Sequence, residues 1–329
     1  MKKWLLALTA SLLLVGCNGN ESHEQSASNS NLKKVQVVLD WTPNTNHTGL
    51  YVAQQNGYFE EQGLDVEIIL PGEAGAIQLV AADQADFGIG YQEGITEART
   101  QGVPIVSIAA IIQHNTSGFA APVEKEITSP VDFQGKTYGG YGAPVEEAIM
   151  KTIMEAEGAD VSKVNMMNIG SADYFTAVKR DIDFSWIYYG WTGIEAELRG
   201  EELDMLYVAD YDKSLDYYTP VVTTSEKMIA EDSETVEAFL HATSKGYEFA
   251  IEKPEQAAAI LIEAEPDLDA DLVQASQKWL SSKYQDDAER WGEQKREVWS
   301  NYADWMKKND LLEGEFVPEE AFTNEFLPQ

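Results

Sequence analysis

The residues able to do chemistry in this sequence gather where apolar runs stop. Val35–Leu39 runs straight into Asp40-Trp41-Thr42-Pro43-Asn44-Thr45-Asn46-His47, so a single turn carries a carboxylate, an indole, two amides and an imidazole. Phe87–Gly90 is followed by Tyr91, Gln92 and Glu93, and Ile105–Ile112 by His114, Asn115 and Thr116. Thr137–Gly139 leads to Gly140, Tyr141 and Gly142, while Phe184–Ile187 leads to Tyr188, Tyr189, Gly190, Trp191 and then Glu195. None of these is Lys or Arg. Rings supply flat faces worth about 0.5–1.5 kcal/mol per aromatic pair beyond buried area. Carboxylates accept from amino groups through charge-assisted bonds of about 1.5–3 kcal/mol. The matching ligand is flat, amino-bearing and neutral or cationic, and a small nitrogen heterocycle fits best. A sulfonate, nitrate or phosphate would instead require a guanidinium, an ammonium or several open N–H groups at a helix start.

Simpler roles compete for each residue. Asp40 could cap the next helix, although Asn46 and Thr48 are better placed. His47 reads more readily as a helix-start residue than as a ligand contact. The run Gly139-Gly140-Tyr141-Gly142 could be only a tight turn, and Glu146-Glu147 reads as a helix-surface pair. The rings of Tyr188, Tyr189 and Trp191 are hardest to explain as surface. Catalysis finds no footing: the chain lacks a His-Glu-x-x-His, a Gly-x-Ser-x-Gly, a phosphate loop and a dinucleotide fingerprint. Its histidines (His23, His47, His114, His241) are scattered, and its single cysteine, Cys17, removes disulfides and thiolate metal sites. No catalytic residue, metal or cofactor is expected.

The elements that must position these turns alternate. Strands are predicted at Val35–Leu39, Val66–Leu70, Phe87–Gly90, Ile105–Ile112 and Gly118–Ala121, then at Thr137–Gly139, Val164–Asn168, Phe184–Ile187, Met205–Val208 and Thr219–Thr223, with helical stretches between. Such alternation means α/β layers on mainly parallel sheets, whose ligands sit beyond the carboxyl ends of the strands. The two series look alike. Each returns to an Asp-Phe pair, Asp86-Phe87 and Asp183-Phe184, that opens a strand ending in an aromatic turn. This predicts two α/β domains of one plan. After Thr223 the pattern is helical, and Trp299, Tyr302 and Trp305 share one helix face as packing anchors. The simplest arrangement returns this tail to the first domain. The first lobe then comprises 33–121 plus 222–329 and the second 122–221, with crossings near Phe119–Pro122 and Tyr218–Val221.

The N-terminus is of another kind. Lys2 and Lys3 precede an apolar stretch, Trp4–Val15, too short for a comfortable membrane span. Leu14-Val15-Gly16-Cys17 resembles the bacterial lipobox, so residues 1–17 read as a lipoprotein signal with Cys17 as the lipid anchor. Residues 18–32 are polar and read as a tether. The net charge of −33, from 56 acidic and 23 basic residues, excludes nucleic acid as a partner. It also argues against adhesion to anionic lipid beyond the anchor, and it suits an alkaline medium.

Lipobox, tether, two α/β lobes and helical return together resemble a solute-binding lipoprotein of an ABC importer. More narrowly, Trp41-Thr42-Pro43-Asn44 with His47, followed by Gly57-Tyr58-Phe59 and Gly63-Leu64, resembles the thiamine-pyrimidine family of fungal synthases and bacterial pyrimidine binders. The Gly-Tyr-Phe part is shared with sulfonate and nitrate binders; the Trp-x-Pro-Asn-x-x-His part is more specific. The resemblance implies a two-lobed periplasmic-binding-protein fold of type II with a hinge and an interlobe cleft. It also implies a monomer on the outer face of the bacterial membrane that delivers formylaminopyrimidine to permease subunits for thiamine salvage. The fungal enzymes hold pyridoxal phosphate on a lysine and use a histidine; those positions align with Gly90 and Gly94 here, which disfavours an enzyme. In this reading Trp41 and either Tyr188 or Trp191 sandwich the ring, Asp40 and Glu195 receive its amine, and Asn44 or Gln92 meets the formamide. His47, Tyr91 and Tyr141 complete the expected site. An alkanesulfonate binder of the same fold is the alternative, and a pyrimidine-synthase-like enzyme stands last.

Overall fold

The computed structural model describes residues 32–329 except Ser171. The expected signal segment, the lipobox with Cys17 and the tether up to residue 31 lie outside the described residues.

Ten strands form: β1 (Lys33–Val38), β2 (Leu64–Ile69), β3 (Phe87–Gly90), β4 (Ile105–Ala110), β5 (Ser117–Pro122), β6 (Thr137–Gly140), β7 (Asn165–Asn168), β8 (Phe184–Tyr188), β9 (Leu203–Tyr207) and β10 (Val221–Ser225). They build two five-stranded sheets of matching plan, β2-β1-β3-β10-β4 and β7-β6-β8-β5-β9. Both are mixed, where mainly parallel sheets were expected. β1 runs parallel to β2 and β3, and β6 to β7 and β8. β10 and β5 run antiparallel to both neighbours. Parallel neighbours need a crossover helix, and these two strands arrive from the other lobe without one.

The Asp-Phe pairs do the same job in each sheet. Asp86 accepts the Gln36 N–H and Asp183 accepts the Thr137 N–H, each at 2.8 Å, so each fastens the start of the neighbouring strand. Phe87 stacks on Phe239 at 3.9 Å between centroids in the first core, and Phe184 on Phe133 at 4.2 Å in the second.

Two expected boundaries shift. The predicted strand Gly118–Ala121 was assigned to the first lobe, but β5 pairs Gly118 with Ile187 and Tyr207, between β8 and β9 of the second sheet. The first crossing therefore falls at residues 111–116. A strand buried throughout reads the same in either sheet, so its apolar run could not assign it. The C-terminal return is also divided. In the helix Arg296–Lys308, Trp299 packs with Val38, Ile95 and Tyr218 of the first lobe, whereas Tyr302, Trp305 and Met306 enter the core of the second. Trp305 Nε1 donates to Thr152 of the second lobe at 2.9 Å. The chain then comes back, with Phe322 bridging to Ser107 of β4 and Leu327 in the first core.

Candidate functional site

The turn after β1 is wired from within. Asn44 accepts the Asn46 N–H at 2.8 Å and donates to the Thr42 carbonyl at 3.0 Å, capping the short 3₁₀ turn Thr45–His47. Its amide, expected as one of two candidates for the formamide, holds the loop in this structure. His47 is fully buried; its Nδ1 accepts the Asn44 N–H at 3.2 Å, which leaves Nε2 to face Asp40 at 2.6 Å. Tyr91 donates to the other Asp40 oxygen at 2.7 Å. Burial alone would raise the Asp40 carboxyl, but the charge and hydrogen bond of His47, with the Tyr91 hydroxyl, outweigh it and hold the group below its usual value. Asp40, His47 and Tyr91 thus form a closed set, with Trp41 left 53% exposed above it.

Gln92 is likewise spent on structure. It is buried, accepts the Tyr218 N–H at 2.9 Å and donates to the Val298 carbonyl at 3.2 Å. It fastens the returning segment and the C-terminal helix, so both ends of the amide expected as an alternative to Asn44 for the formamide are already used within the fold. His114 and Asn115 fall on the first crossing. His114 Nδ1 lies 2.8 Å from Asp216, and Asn115 donates its backbone N–H to Asp216 and its amide to the Leu215 carbonyl, each at 2.9 Å. The two crossing segments are therefore clasped together. The hydrogen bond that His114 donates to Asp216 is the main cause that pushes it up to about 9, against burial, with the charges of Asp216, Asp286 and Asp287 adding to it.

In the second lobe the turn after β6 needs Gly142, whose φ is +80°. Glu146, read from sequence as surface, is 3% exposed. It accepts the backbone N–H groups of Tyr141, Gly142 and Ala143 at 3.0, 2.8 and 2.9 Å and the Tyr138 hydroxyl at 2.8 Å. The amides at this helix start, the natural cradle for an anion, are filled by the chain's own carboxylate. The Tyr141 ring stands 65% exposed beside it.

The turn after β8 sorts its three rings. Tyr189–Gly193 is a single π-helical turn, a feature often found at functional sites. Tyr189 packs on Trp279 at 5.3 Å, and Trp191 joins the cluster of Tyr51, Ala258, Leu261 and Val273. Between them Ser276, itself 2.6 Å from Thr45, donates to the Gly190 carbonyl. Trp191, one of the two rings expected as the partner of Trp41 in stacking, thus packs the second lobe on the first. Glu195 is paired with Arg199, whose Nε lies 2.9 Å away, so its carboxylate is occupied on its own helix. Tyr188 alone of the three rings stays open, at 36% exposure, and its hydroxyl lies 3.4 Å from Thr219.

Tyr188 joins the two sets of strand ends. Burial pushes its hydroxyl up, and Glu93, Asp40 and Tyr141 are near enough for their charges to add to that. Tyr188 of the second lobe therefore lies near Glu93 and Asp40 of the first, and Trp41 follows Asp40 directly in the chain. Glu93, named at the end of its strand but left out of the expected site, differs from the other acids there. Its Oε2 is buried and makes no hydrogen bond among the described residues. Burial pushes its carboxyl up to about 7, against a local backbone hydrogen bond. The acid was visible at the strand end, but its want of a partner was not.

A separate open groove of about 570 Å³ runs from Asp40 and Tyr91 between the helices Gly75–Ala81 and Gln92–Thr100, with Gly90 and Gly94 in its lining. A Cβ on residue 90 would lie 3.1 Å from Ile77, and one on residue 94 only 2.8 Å from it. A lysine-held pyridoxal phosphate does not fit: the aligned position is glycine, and Ile77 covers it.

Paired sheets of one plan, joined by crossing segments and bordered by rings at their facing ends, define a two-lobed periplasmic-binding-protein fold. The alkanesulfonate-binding protein SsuA from Xanthomonas axonopodis pv. citri bound to MOPS shares that fold with a TM-score of 0.66 at 12% identity, covering 88% of this chain and 98% of that one. The chain belongs to the NMT1/THI5-like family, whose model matches residues 44–257. It is 32% identical to the formylaminopyrimidine-binding protein of Halalkalibacterium halodurans over 98% of each chain. It is 26% identical to a 4-amino-5-hydroxymethyl-2-methylpyrimidine phosphate synthase of Legionella pneumophila, over 91% of this chain and 94% of that one.

Proposed function

We propose that this chain is the extracytoplasmic binding protein of an ABC importer, anchored through a lipid on Cys17, and that it carries a thiamine-derived aminopyrimidine such as N-formyl-4-amino-5-aminomethyl-2-methylpyrimidine to its permease as a monomer. One observation carries the ligand class: the exposed groups at the strand ends are the rings of Trp41, Tyr141 and Tyr188, with no guanidinium or ammonium among them. The flat heterocycle stacks on Trp41 and Tyr188. Closure of the lobes on it creates the surface that the permease reads, a population shift driven by better fit to the closed state. The relation to a formylaminopyrimidine-binding protein supports the same ligand.

Two other readings fare worse. An alkanesulfonate needs donors, and the amides best placed to give them are held by Glu146. A pyrimidine synthase needs its lysine and histidine, and those positions are Gly90 and Gly94 under Ile77. Calorimetric titration with formylaminopyrimidine, hydroxymethylpyrimidine, thiamine and a small alkanesulfonate tests the assignment. Tight binding of the formylaminopyrimidine supports it, and silence from every pyrimidine with a response to the sulfonate removes it.

A further inference from the structure

One buried hydroxyl joins the turn that carries Trp41 to the turn that follows Tyr188. Ser276 lies fully buried on the helix Ala270–Leu280 of the first lobe. Its Oγ donates to the Gly190 carbonyl, in the π-helical turn of the second lobe, and lies 2.6 Å from the hydroxyl of Thr45. A serine hydroxyl has one proton to give, so Thr45 must be the donor to Ser276. The relay therefore has one direction, from Thr45 through Ser276 to Gly190. Its first-lobe end is bolted down. Tyr284 donates to the Thr45 carbonyl and Tyr247 to the Asn46 carbonyl, each at 2.6 Å, and Asn44 donates back to the Thr42 carbonyl, next to Trp41. Its second-lobe end sits against apolar walls. Trp191 packs in the cluster with Tyr51 and Val273, and Gly190 passes so close to the helix that a Cβ there would lie 3.1 Å from both Trp279 and Leu280. Apolar walls tolerate sliding, whereas a satisfied buried hydrogen-bond relay holds one register.

We propose that Ser276 is a positioning residue for ligand capture: its relay locks the turn that carries Trp41 to the turn that follows Tyr188, so the slot between the two rings is set before a ligand enters. The identity of the ligand rests on the proposed function, but the lock itself is a property of the ligand-free chain. A flat ring gains from two stacking faces only while both are held at its thickness. When the turns drift apart, apparent affinity falls with the fraction of molecules that keep them together. Ser276 is out of reach of any ligand, since it is fully buried, and acts through the two turns.

The test is hydrogen exchange read by mass spectrometry on the full-length chain in detergent, with and without formylaminopyrimidine, alongside calorimetric titration. Ser276→Ala removes the relay. Gly190→Ala presses on Trp279 and Leu280 from the other lobe and leaves Ser276 in place, so the test does not hang on one variant folding. The proposal expects each variant to exchange about threefold to tenfold faster at residues 44–48 and 189–194 together, and to bind the ligand more weakly by a similar factor, the worth of one hydrogen bond. Both turns should regain parental protection on saturation with ligand. Faster exchange confined to residues 270–280, or none at residues 189–194, makes Ser276 a local packing residue and overturns the proposal. Parental affinity in both variants overturns its role in capture. Failure of the parent to bind any pyrimidine removes the proposed function, whereas the lock stands or falls on exchange in the ligand-free chain alone.

Discussion

Each lobe sets a glutamate in the first turn of a helix that follows a strand, and the two are treated in opposite ways. In the second lobe Glu146 receives three backbone N–H groups and a phenol, so it behaves as a built-in anion that finishes the turn. In the first lobe Glu93 is only half-buried, yet its Oε2 is out of water without a partner among the described residues and burial pushes the carboxyl up to about 7. Similar positions on a duplicated plan have diverged into a structural acid and an open one. Occupied polar groups mark what the fold consumes; unoccupied ones mark what it offers.

The sharpest way to break this contrast is to truncate both acids. Glu146→Ala leaves four donors without their acceptor and should cost about 3–5 kcal/mol, read from urea unfolding. A cost below 1 kcal/mol would mean that the turn does not depend on its carboxylate. Glu93→Gln should act the other way. A carboxyl whose folded pKa lies above its unfolded value loses stabilisation as pH rises, here across the window from about 4.5 to about 7. The variant should therefore be more stable than the parent at pH 8, by up to about 3 kcal/mol, and equal to it at pH 4. A parallel pH dependence of the two proteins would contradict the account.

The rings give a smaller effect of the same kind. Trp41→Ala and Tyr188→Ala remove exposed rings, so each should weaken pyrimidine binding by about 1.5–3 kcal/mol while leaving the unfolding midpoint nearly unchanged. Trp191→Ala should show the reverse pattern, because its ring docks one lobe on the other. The smallest effect belongs to the clasp between the crossings. His114 has a folded pKa near 9, above its ordinary 6.5, so its contribution is complete below pH 6.5 and fades as pH rises through about 9. Its side chain is 45% exposed, so screening should keep this under about 1 kcal/mol. Asp216→Asn should abolish that alkaline slope in thermal melts.

Much of the scaffold was legible from the chain. Apolar runs located every strand, and the repeated Asp-Phe pairs foretold two lobes of one plan, because each aspartate fastens its neighbouring strand in the same way. Pairing was not legible. Ser117–Pro122 is buried on both faces, so nothing in its periodicity says which sheet it joins. The helix Arg296–Lys308 shows a single apolar stripe, yet Trp299 and Trp305 on it serve different lobes. The site was half legible. Residue types at the strand ends pointed to rings and acids, and Trp41, Tyr141 and Tyr188 are indeed uncovered. The sequence could not reveal occupancy, however. Asn44, Gln92 and Glu195 look like contacts until their partners are seen, and Glu93 looks ordinary until it is seen to have none. The π-helical turn also resets which ring of Tyr188, Tyr189 and Trp191 points where, and a strand–turn pattern does not foresee it.

The most direct measurement is a crystal structure of the chain with formylaminopyrimidine. The account predicts the ring between Trp41 and Tyr188 at the ends of the strands that carry them. A ring seated away from Trp41 and Tyr188, or one lodged in the groove beside Ile77, would contradict it.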